Sequence, residues 1–217
     1  MSIGVLLGGC GYYDGTDVHE AVFTLLAIEA AGERAILVAP DIAQERTVDH
    51  LSGDEAPDAR NVLRESARLA RRPVRALHEV RHDELEALLI PGGYGPVVNF
   101  SMQFARRGEP RGVRPEVAAF LRHFLDAGKP IGCVSLGEIP LRTVLGDTIE
   151  VPDPPAGPEA LAVDRERSIV HTPGSTAFTR LSDVKTGIDA MVREVLALVQ
   201  QRRRVAASAG PGPTGAR

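Results

Sequence analysis

The chain has 217 residues, of which 43% are hydrophobic and 25% charged, a composition typical of one globular domain with a sizeable core. A net charge of −4, an aromatic content of 4% and the lack of tryptophan argue against a nucleic-acid partner. No apolar run approaches the ~20 residues that span a membrane. Two cysteines, Cys10 and Cys133, give neither a disulfide framework nor a zinc motif, so we expect a cytoplasmic protein without a metal or cofactor.

The first half of the chain alternates short apolar runs with segments of helical periodicity. Apolar runs over residues 3–7, 34–40 and 85–90 predict buried parallel strands. Residues 19–32 and 60–71 predict helices, and Gly32 provides the expected C-terminal stop of the first one. A strand, a helix and a further strand in succession predict a right-handed parallel unit.

The second half continues the alternation. Helices are predicted over residues 115–128, 136–145 and 183–203, and strands over 129–134, 148–151, 160–164 and 168–173. We expect one domain over residues 1–203, followed by a disordered tail over 204–217 that is rich in glycine, proline and alanine. This order predicts a three-layer α/β/α sandwich around a mainly parallel sheet.

Three turns follow predicted strands and therefore fall at the edge of the sheet where such folds place their sites. They are residues 8–11, residues 92–95 and Ser135. Ser135 lies in the sequence Cys-Val-Ser-Leu-Gly, a pattern typical of a sharp strand-to-helix turn that exposes a nucleophile. The backbone amide of Leu136 would then face a developing oxyanion. The alternative is that Ser135 only caps the following helix.

Glu20 is the second candidate, because it lies in the first turns of a helix that follows a glycine-rich loop. Its neighbour His19 could share the site. Alternatively, Glu20 only complements the positive end of the helix. The sequence Pro-Gly-Gly-Tyr-Gly at residues 91–95 is either a tight turn or, through the amide of Gly93, a second oxyanion donor.

These motifs together resemble the ThiJ/PfpI superfamily, and within it the ElbB-type branch of glyoxalases and sigma cross-reacting proteins. Similar segments occur in the same order at residues 9–32, 49–71, 88–101, 127–136 and 186–192. The resemblance implies a flavodoxin-like, class I glutamine amidotransferase-like fold, a homodimer and a small-molecule substrate, with no nucleic-acid or membrane partner.

The resemblance also assigns roles to residues. It implies that Glu20 is the activating carboxylate, that Gly92 and Gly93 form the oxyanion turn, and that Asn99 follows that turn. The elbow nucleophile, a cysteine in the family, falls on Ser135. We expect Cys133 to be buried below the site and Cys10 to be a packed thiol. His171 stands where the family usually has threonine, and it or His19 is a possible base.

Three hypotheses follow from serine in place of cysteine. Glyoxalase-like chemistry on a reactive carbonyl compound would require a hemiacetal on Ser135, with Glu20 as base, because a serine hydroxyl does not ionise near neutrality. A repurposed hydratase, hydrolase or isomerase would use Glu20 for acid–base work and Ser135 only as a hydrogen-bonding group. A non-catalytic binding or regulatory relative would need neither residue for chemistry.

Overall fold

The computed structural model describes residues 1–101, 112–146 and 157–208. Its main sheet has seven strands in the order β5-β2-β1-β6-β7-β9-β8. Their bounds are β1 Ser2–Leu6, β2 Arg34–Ala39, β5 Arg75–Ala76, β6 Ala87–Ile90, β7 Ile131–Val134, β8 Ala162–Asp164 and β9 Ile169–Thr172. All neighbours pair in parallel except β8 and β9, which are antiparallel.

Helices cover both faces of this sheet. The α-helices are α1 Val18–Ala30, α2 Val62–Ala70, α3 Pro115–Asp126, α4 Ile139–Leu145 and α5 Leu181–Ser208. Side chains alternate along a strand, so Val5 packs with α1 and α5 whereas Leu6 packs with α3 on the opposite face. The predicted three-layer α/β/α sandwich with a mainly parallel sheet is confirmed.

Two details differ from the sequence prediction. Strands β5, β3 (Thr47–Val48) and β4 (Glu55–Ala56) were not predicted, because two residues are too few to give a periodic pattern. The final helix continues to Ser208, so its predicted end at residue 203 is wrong by five residues. The alanines at 206 and 207 favour the helical state, which explains the extension. The strand predicted over residues 148–151 and the tail from 209 onward lie outside the described residues.

The topology brings several loops to one edge of the sheet. Residues 7–17 follow β1, residues 91–95 follow β6, Ser135 follows β7, and residues 173–176 follow β9. In a parallel sheet these four segments emerge at the same edge. Within the described ranges, no helix is both long and apolar enough to cross a membrane.

Candidate functional site

Ser135 occupies a sharp turn directly after β7. Its φ of +44° lies in the left-handed region, which a residue with a Cβ adopts at a cost of about 1–3 kcal/mol. A short 3₁₀ turn, Ser135–Glu138, then leads into α4. The residues that cap the turn and α4 are Val134 and Glu138, so the interpretation of Ser135 as a helix cap is wrong. Its hydroxyl is instead held by Glu20.

The turn requires glycine two residues after the serine. A Cβ on Gly137 would lie 2.2 Å from the carbonyl oxygen of Ile90 at the end of β6. Only a residue without a side chain allows the turn to pack this closely on the neighbouring strand. The spacing Ser-Leu-Gly is thus explained by the contact between the turn and β6.

Glu20 lies on α1 directly opposite this turn. Asp17 caps the helix, since its Oδ1 accepts the backbone amides of His19 and Glu20 at 2.8 and 3.1 Å. The Glu20 side chain is completely buried, and both of its oxygens are hydrogen-bonded. Oε2 accepts the amide of Gly92 at 2.8 Å and the Ser135 hydroxyl at 3.1 Å. Oε1 accepts the amide and the hydroxyl of Ser175 at 2.9 and 2.6 Å.

The protonation of Glu20 is set by opposing effects. Burial raises the pKa of Glu20, while the hydrogen bonds from Ser175 and Gly92 lower it and the nearby Asp17 carboxylate raises it. A buried carboxyl group with a raised pKa is better suited to take and give a proton than an ordinary surface carboxylate. The Ser135 hydroxyl is the group on which such a proton transfer would act.

Gly92 fits between the two catalytic candidates. A Cβ at this position would lie 2.1 Å from Ser135 Oγ and 2.8 Å from Glu20 Oε2, so no other residue is accommodated. Its amide is directed at Glu20, which means that it is not free to stabilise an oxyanion as well. The roles assigned to the amides of Gly93 and Leu136 stay predictions.

His171 approaches the turn from β9, but from the side of the backbone. Its Nε2 lies 3.2 Å from the carbonyl oxygen of Ser135, and the contacts described for the ring do not include the Ser135 hydroxyl. Burial lowers the pKa of His171, although the nearby Glu138 carboxylate raises it. A neutral ring that donates to the Ser135 carbonyl supports the strained turn and is not placed to take the hydroxyl proton.

The two thiols lie away from the carboxylate. Cys133 is completely buried inside β7, packed in the core with Ile90 and Leu141, and burial raises the pKa of its thiol strongly. Cys10 is half-buried in the glycine-rich loop, where burial and the charge of Glu65 raise its thiol pKa. Both remain protonated at neutral pH, in agreement with the expectation that they are packing residues.

His19 and Asn99 do not take part in the Glu20–Ser135 contact. The side chain of His19 is 61% exposed and lies 3.9 Å from Asp17 Oδ1. Asn99 is fully buried and its amide group binds backbone on both sides, donating to the carbonyls of Gly8 and Asp14 and accepting the amide of Glu45. Asn99 therefore fixes the shape of the glycine-rich loop.

Sequence reasoning missed Asp17 and Ser175. Asp17 carried a usable signal, because aspartate directly before a helical pattern is a common N-cap. The signal for Ser175 was weak, because it consisted only of its position shortly after β9, at the same edge of the sheet. The described residues contain no cluster of three or more histidine, cysteine, aspartate or glutamate side chains that could hold a metal ion.

Similarity to known proteins is extensive, although no family model matches the chain. It is 35% identical to the human mitochondrial "glutamine amidotransferase-like class 1 domain-containing protein 3", over 90% of this chain and 82% of that protein. It is 33% identical to the mitochondrial "ES1 protein homolog" of Rattus norvegicus, over 90% of this chain and 83% of that protein.

Solved structures agree with this similarity. An isoprenoid biosynthesis protein with an amidotransferase-like domain from Ehrlichia chaffeensis superposes with a TM-score of 0.84 at 29% identity, covering 91% of this chain and 99% of that one. A DJ-1 superfamily protein of Salmonella typhimurium superposes with a TM-score of 0.52 at 16% identity, covering 95% of this chain and 97% of that one. The second likeness concerns the fold alone.

Proposed function

The chain belongs to the family of glutamine amidotransferase-like class 1 domain and ES1 proteins, and from this premise we propose that it is an enzyme acting on a small reactive carbonyl compound. The proposed substrate class is a 2-oxoaldehyde, which the enzyme converts with water into a 2-hydroxy acid. Glu20 is the acid–base group and Ser135 the group that binds the carbonyl carbon. This is the glyoxalase-like chemistry of the ElbB-type branch, carried out with serine.

The reaction proceeds in three balanced steps. Ser135 Oγ adds to the aldehyde carbon, and its proton passes by way of Glu20 to the aldehyde oxygen, which gives a hemiacetal and leaves Glu20 ionised. Glu20 then removes the proton from that carbon and returns it to the neighbouring carbonyl carbon, while the proton of the hemiacetal hydroxyl passes to the oxygen of that carbonyl, so that an ester of Ser135 with the 2-hydroxy acid remains. Water hydrolyses the ester and restores the serine hydroxyl. No oxidant or reductant is consumed.

One observation carries this proposal: the hydrogen bond of 3.1 Å from Ser135 Oγ to a completely buried carboxylate. A serine hydroxyl needs a base to become a nucleophile, and Glu20 Oε2 is within the distance that such a base requires. Because a hydroxyl with a carboxylate base is a weaker nucleophile than a thiolate, we expect slow turnover.

The second candidate is acid–base chemistry without a covalent intermediate. It is favoured by the direction of the Ser135 hydroxyl, which donates to Glu20 and thereby helps to hold it. Hydration or isomerisation of a related metabolite would then depend on Glu20 alone. Loss of activity in Glu20→Gln with retention in Ser135→Ala would favour this candidate.

The proposal is tested by turnover of methylglyoxal and phenylglyoxal, measured as the 2-hydroxy acid formed. The control is Glu20→Gln purified in parallel from the same host, because that variant keeps the size of the side chain and removes the base. We expect slow formation by the native protein and none above background by the variant. Equal product formation by both would contradict the proposal.

Two further properties are part of this proposal. The two free cysteines support a reducing compartment such as the cytoplasm; the human and rat relatives are named mitochondrial.

A homodimer is supported by an apolar stripe on the outer face of α1, where Val18, Val22 and Leu26 are 42–46% exposed at four-residue spacing. Light scattering of the purified protein, with Leu26→Glu as the disrupting variant, tests the dimer.

A further inference from the structure

A histidine outside the candidate site holds the glycine-rich loop that follows β1. His50 projects from the β3–β4 hairpin, and its Nε2 lies 2.9 Å from the backbone amide of Tyr12 and 3.3 Å from that of Tyr13. On the other side of the ring, Nδ1 lies 3.0 Å from the carbonyl oxygen of Val48. The ring of Tyr13 packs beside the imidazole, with 5.3 Å between the ring centroids.

These contacts determine the protonation state of the ring. The Val48 carbonyl can only accept, so Nδ1 must carry the proton. The amides of Tyr12 and Tyr13 can only donate, so Nε2 must offer its lone pair. The imidazole is therefore neutral in this arrangement. If Nε2 also carried a proton, it could no longer accept hydrogen bonds, and its N–H would face the N–H groups of Tyr12 and Tyr13.

The Asp14 carboxylate lies close enough to pair with a protonated His50 ring. Asp14 is completely buried, and its Oδ2 accepts the amide of Val48 at 2.8 Å. Its Oδ1 lies 3.7 Å from His50 Nε2 and has no hydrogen-bond partner among the described residues. The His50 side chain is 40% exposed, so protons reach it directly from solvent.

Other charged groups surround this contact. Arg46 donates to the carbonyl oxygen of Tyr13 at 3.1 Å, so a positive charge lies beside the segment that His50 holds. The hairpin itself also carries three acidic residues, Asp49, Asp54 and Glu55. The buried carboxylate of Asp14 is the one that the structure pairs with the imidazole.

The loop held by His50 is connected to the candidate site. The carbonyl oxygen of Tyr12 accepts the amide of Tyr94 at 2.8 Å, and Tyr94 directly follows the Gly92–Gly93 turn. The amide of Gly92 binds Glu20. Movement of Tyr12 away from His50 is therefore transmitted through one backbone hydrogen bond to the turn that holds the carboxylate.

We propose that His50 is a pH-sensitive clamp, which fixes the Tyr12–Tyr13 segment when neutral and releases it to pair with Asp14 when protonated. Histidine is the residue type whose charge ordinarily changes between pH 5 and 8, and the test below therefore covers that range. This proposal does not rest on the reaction proposed above, because the order of the loop can be measured whether or not the protein is an enzyme.

The test is amide NMR of the ¹⁵N-labelled protein between pH 5 and 8. The matched control is His50→Gln, because the glutamine side-chain oxygen can accept the same amides but does not titrate. In the native protein, the Tyr12 and Tyr13 amide signals should shift with one common midpoint. Hydrogen exchange at the Tyr12 amide should become about tenfold faster at low pH, after correction for the intrinsic pH effect.

His50→Gln should remove both the shift and the change in exchange. His78→Gln, which replaces an exposed histidine elsewhere, should leave them intact. Flat Tyr12 and Tyr13 signals in the native protein would overturn the proposal, as would the same titration in His50→Gln. An unfolded His50→Gln variant would leave the native titration as the decisive result, with signals of β1 as the internal reference for a folded chain.

Discussion

Cys133 and Ser135 are two residues apart, yet their surroundings are opposite. Cys133 lies within β7, fully buried among aliphatic side chains, with a thiol whose pKa is raised by burial. Ser135 lies one residue beyond the strand, in the left-handed region, with its hydroxyl on the Glu20 carboxylate. Cys133 thus belongs to the core, whereas the Ser135 hydroxyl contacts a carboxylate at the edge of the sheet.

Under the proposed function, the turn, more than the reactivity of the side chain, decides which of the two residues takes part in the reaction. A thiol is the better nucleophile, but the Cys133 thiol is completely buried and its pKa is strongly raised, so it stays protonated. A hydroxyl is the weaker nucleophile, but in the turn it meets Glu20 at 3.1 Å. The variants below exchange or disturb these two environments.

The largest expected gain in activity comes from Ser135→Cys. It places a thiol in the turn, where the family that this chain resembles has its nucleophile, and we expect 2-oxoaldehyde turnover to rise about 100-fold or more. The measurement is kcat/KM with phenylglyoxal. The control is the native protein, which already has a cysteine two residues away. No gain in the variant would contradict a covalent role for this position.

Gly92→Ala tests the close approach between the Ser135 turn and Glu20. The added methyl group would lie 2.1 Å from Ser135 Oγ, so we expect destabilisation by about 3 kcal/mol. Urea unfolding measures the loss. Gly53→Ala is the comparison, since a Cβ there meets no atom within 4 Å but φ is +81°, so that substitution measures backbone strain alone, about 1–2 kcal/mol. A loss in Gly92→Ala no larger than the loss in Gly53→Ala would contradict tight packing at Gly92.

Cys133→Ser should affect folding without affecting the chemistry. A hydroxyl buried among aliphatic side chains loses its hydrogen bonds to water, which costs about 1–3 kcal/mol. We expect the free energy of unfolding to fall by this amount while kcat/KM of the folded protein stays unchanged. Cys133→Ala, which buries no polar atom, is the control. A loss of activity in both variants would show that the Cys133 thiol takes part in the reaction and would contradict this prediction.

The smallest expected effect is the pH dependence that His171 contributes. Burial lowers the pKa of His171 in the folded protein, so the unfolded chain binds the proton first as the pH falls. The contribution to stability is present above pH 6.5 and is lost below it, by at most about 1.4 kcal/mol per pH unit. Urea unfolding at pH 7.5 and 5.5 should show a smaller loss in His171→Gln. An identical loss would contradict the assignment.

Much of the fold was predictable, because buried parallel strands and amphipathic helices give long, clear patterns. Strands β1, β2, β6 and β7 and the three-layer order were therefore found. The two-residue strands were not found, because such short pairing depends on tertiary contacts. The end of the final helix was missed because arginine and alanine continue it without a stop signal.

The candidate site was predictable where a residue type and a turn coincide, as at Glu20 and Ser135. The contacts that Ser175 and His171 make at this site were not predictable. Ser175 donates two hydrogen bonds to Glu20, but it lies 155 residues away along the chain and follows no motif. His171 looked like a base, and only the three-dimensional structure places its ring on the Ser135 carbonyl.

The most direct test of the central claim compares Glu20→Gln with Ser135→Ala on the same 2-oxoaldehyde. The account makes Glu20 the acid–base group, whose removal lowers kcat/KM by about 100- to 10,000-fold. Ser135→Ala should lower kcat/KM as well, but by no more than Glu20→Gln, because a water molecule can still add to the carbonyl carbon with Glu20 as base. Native activity in Glu20→Gln would contradict the account.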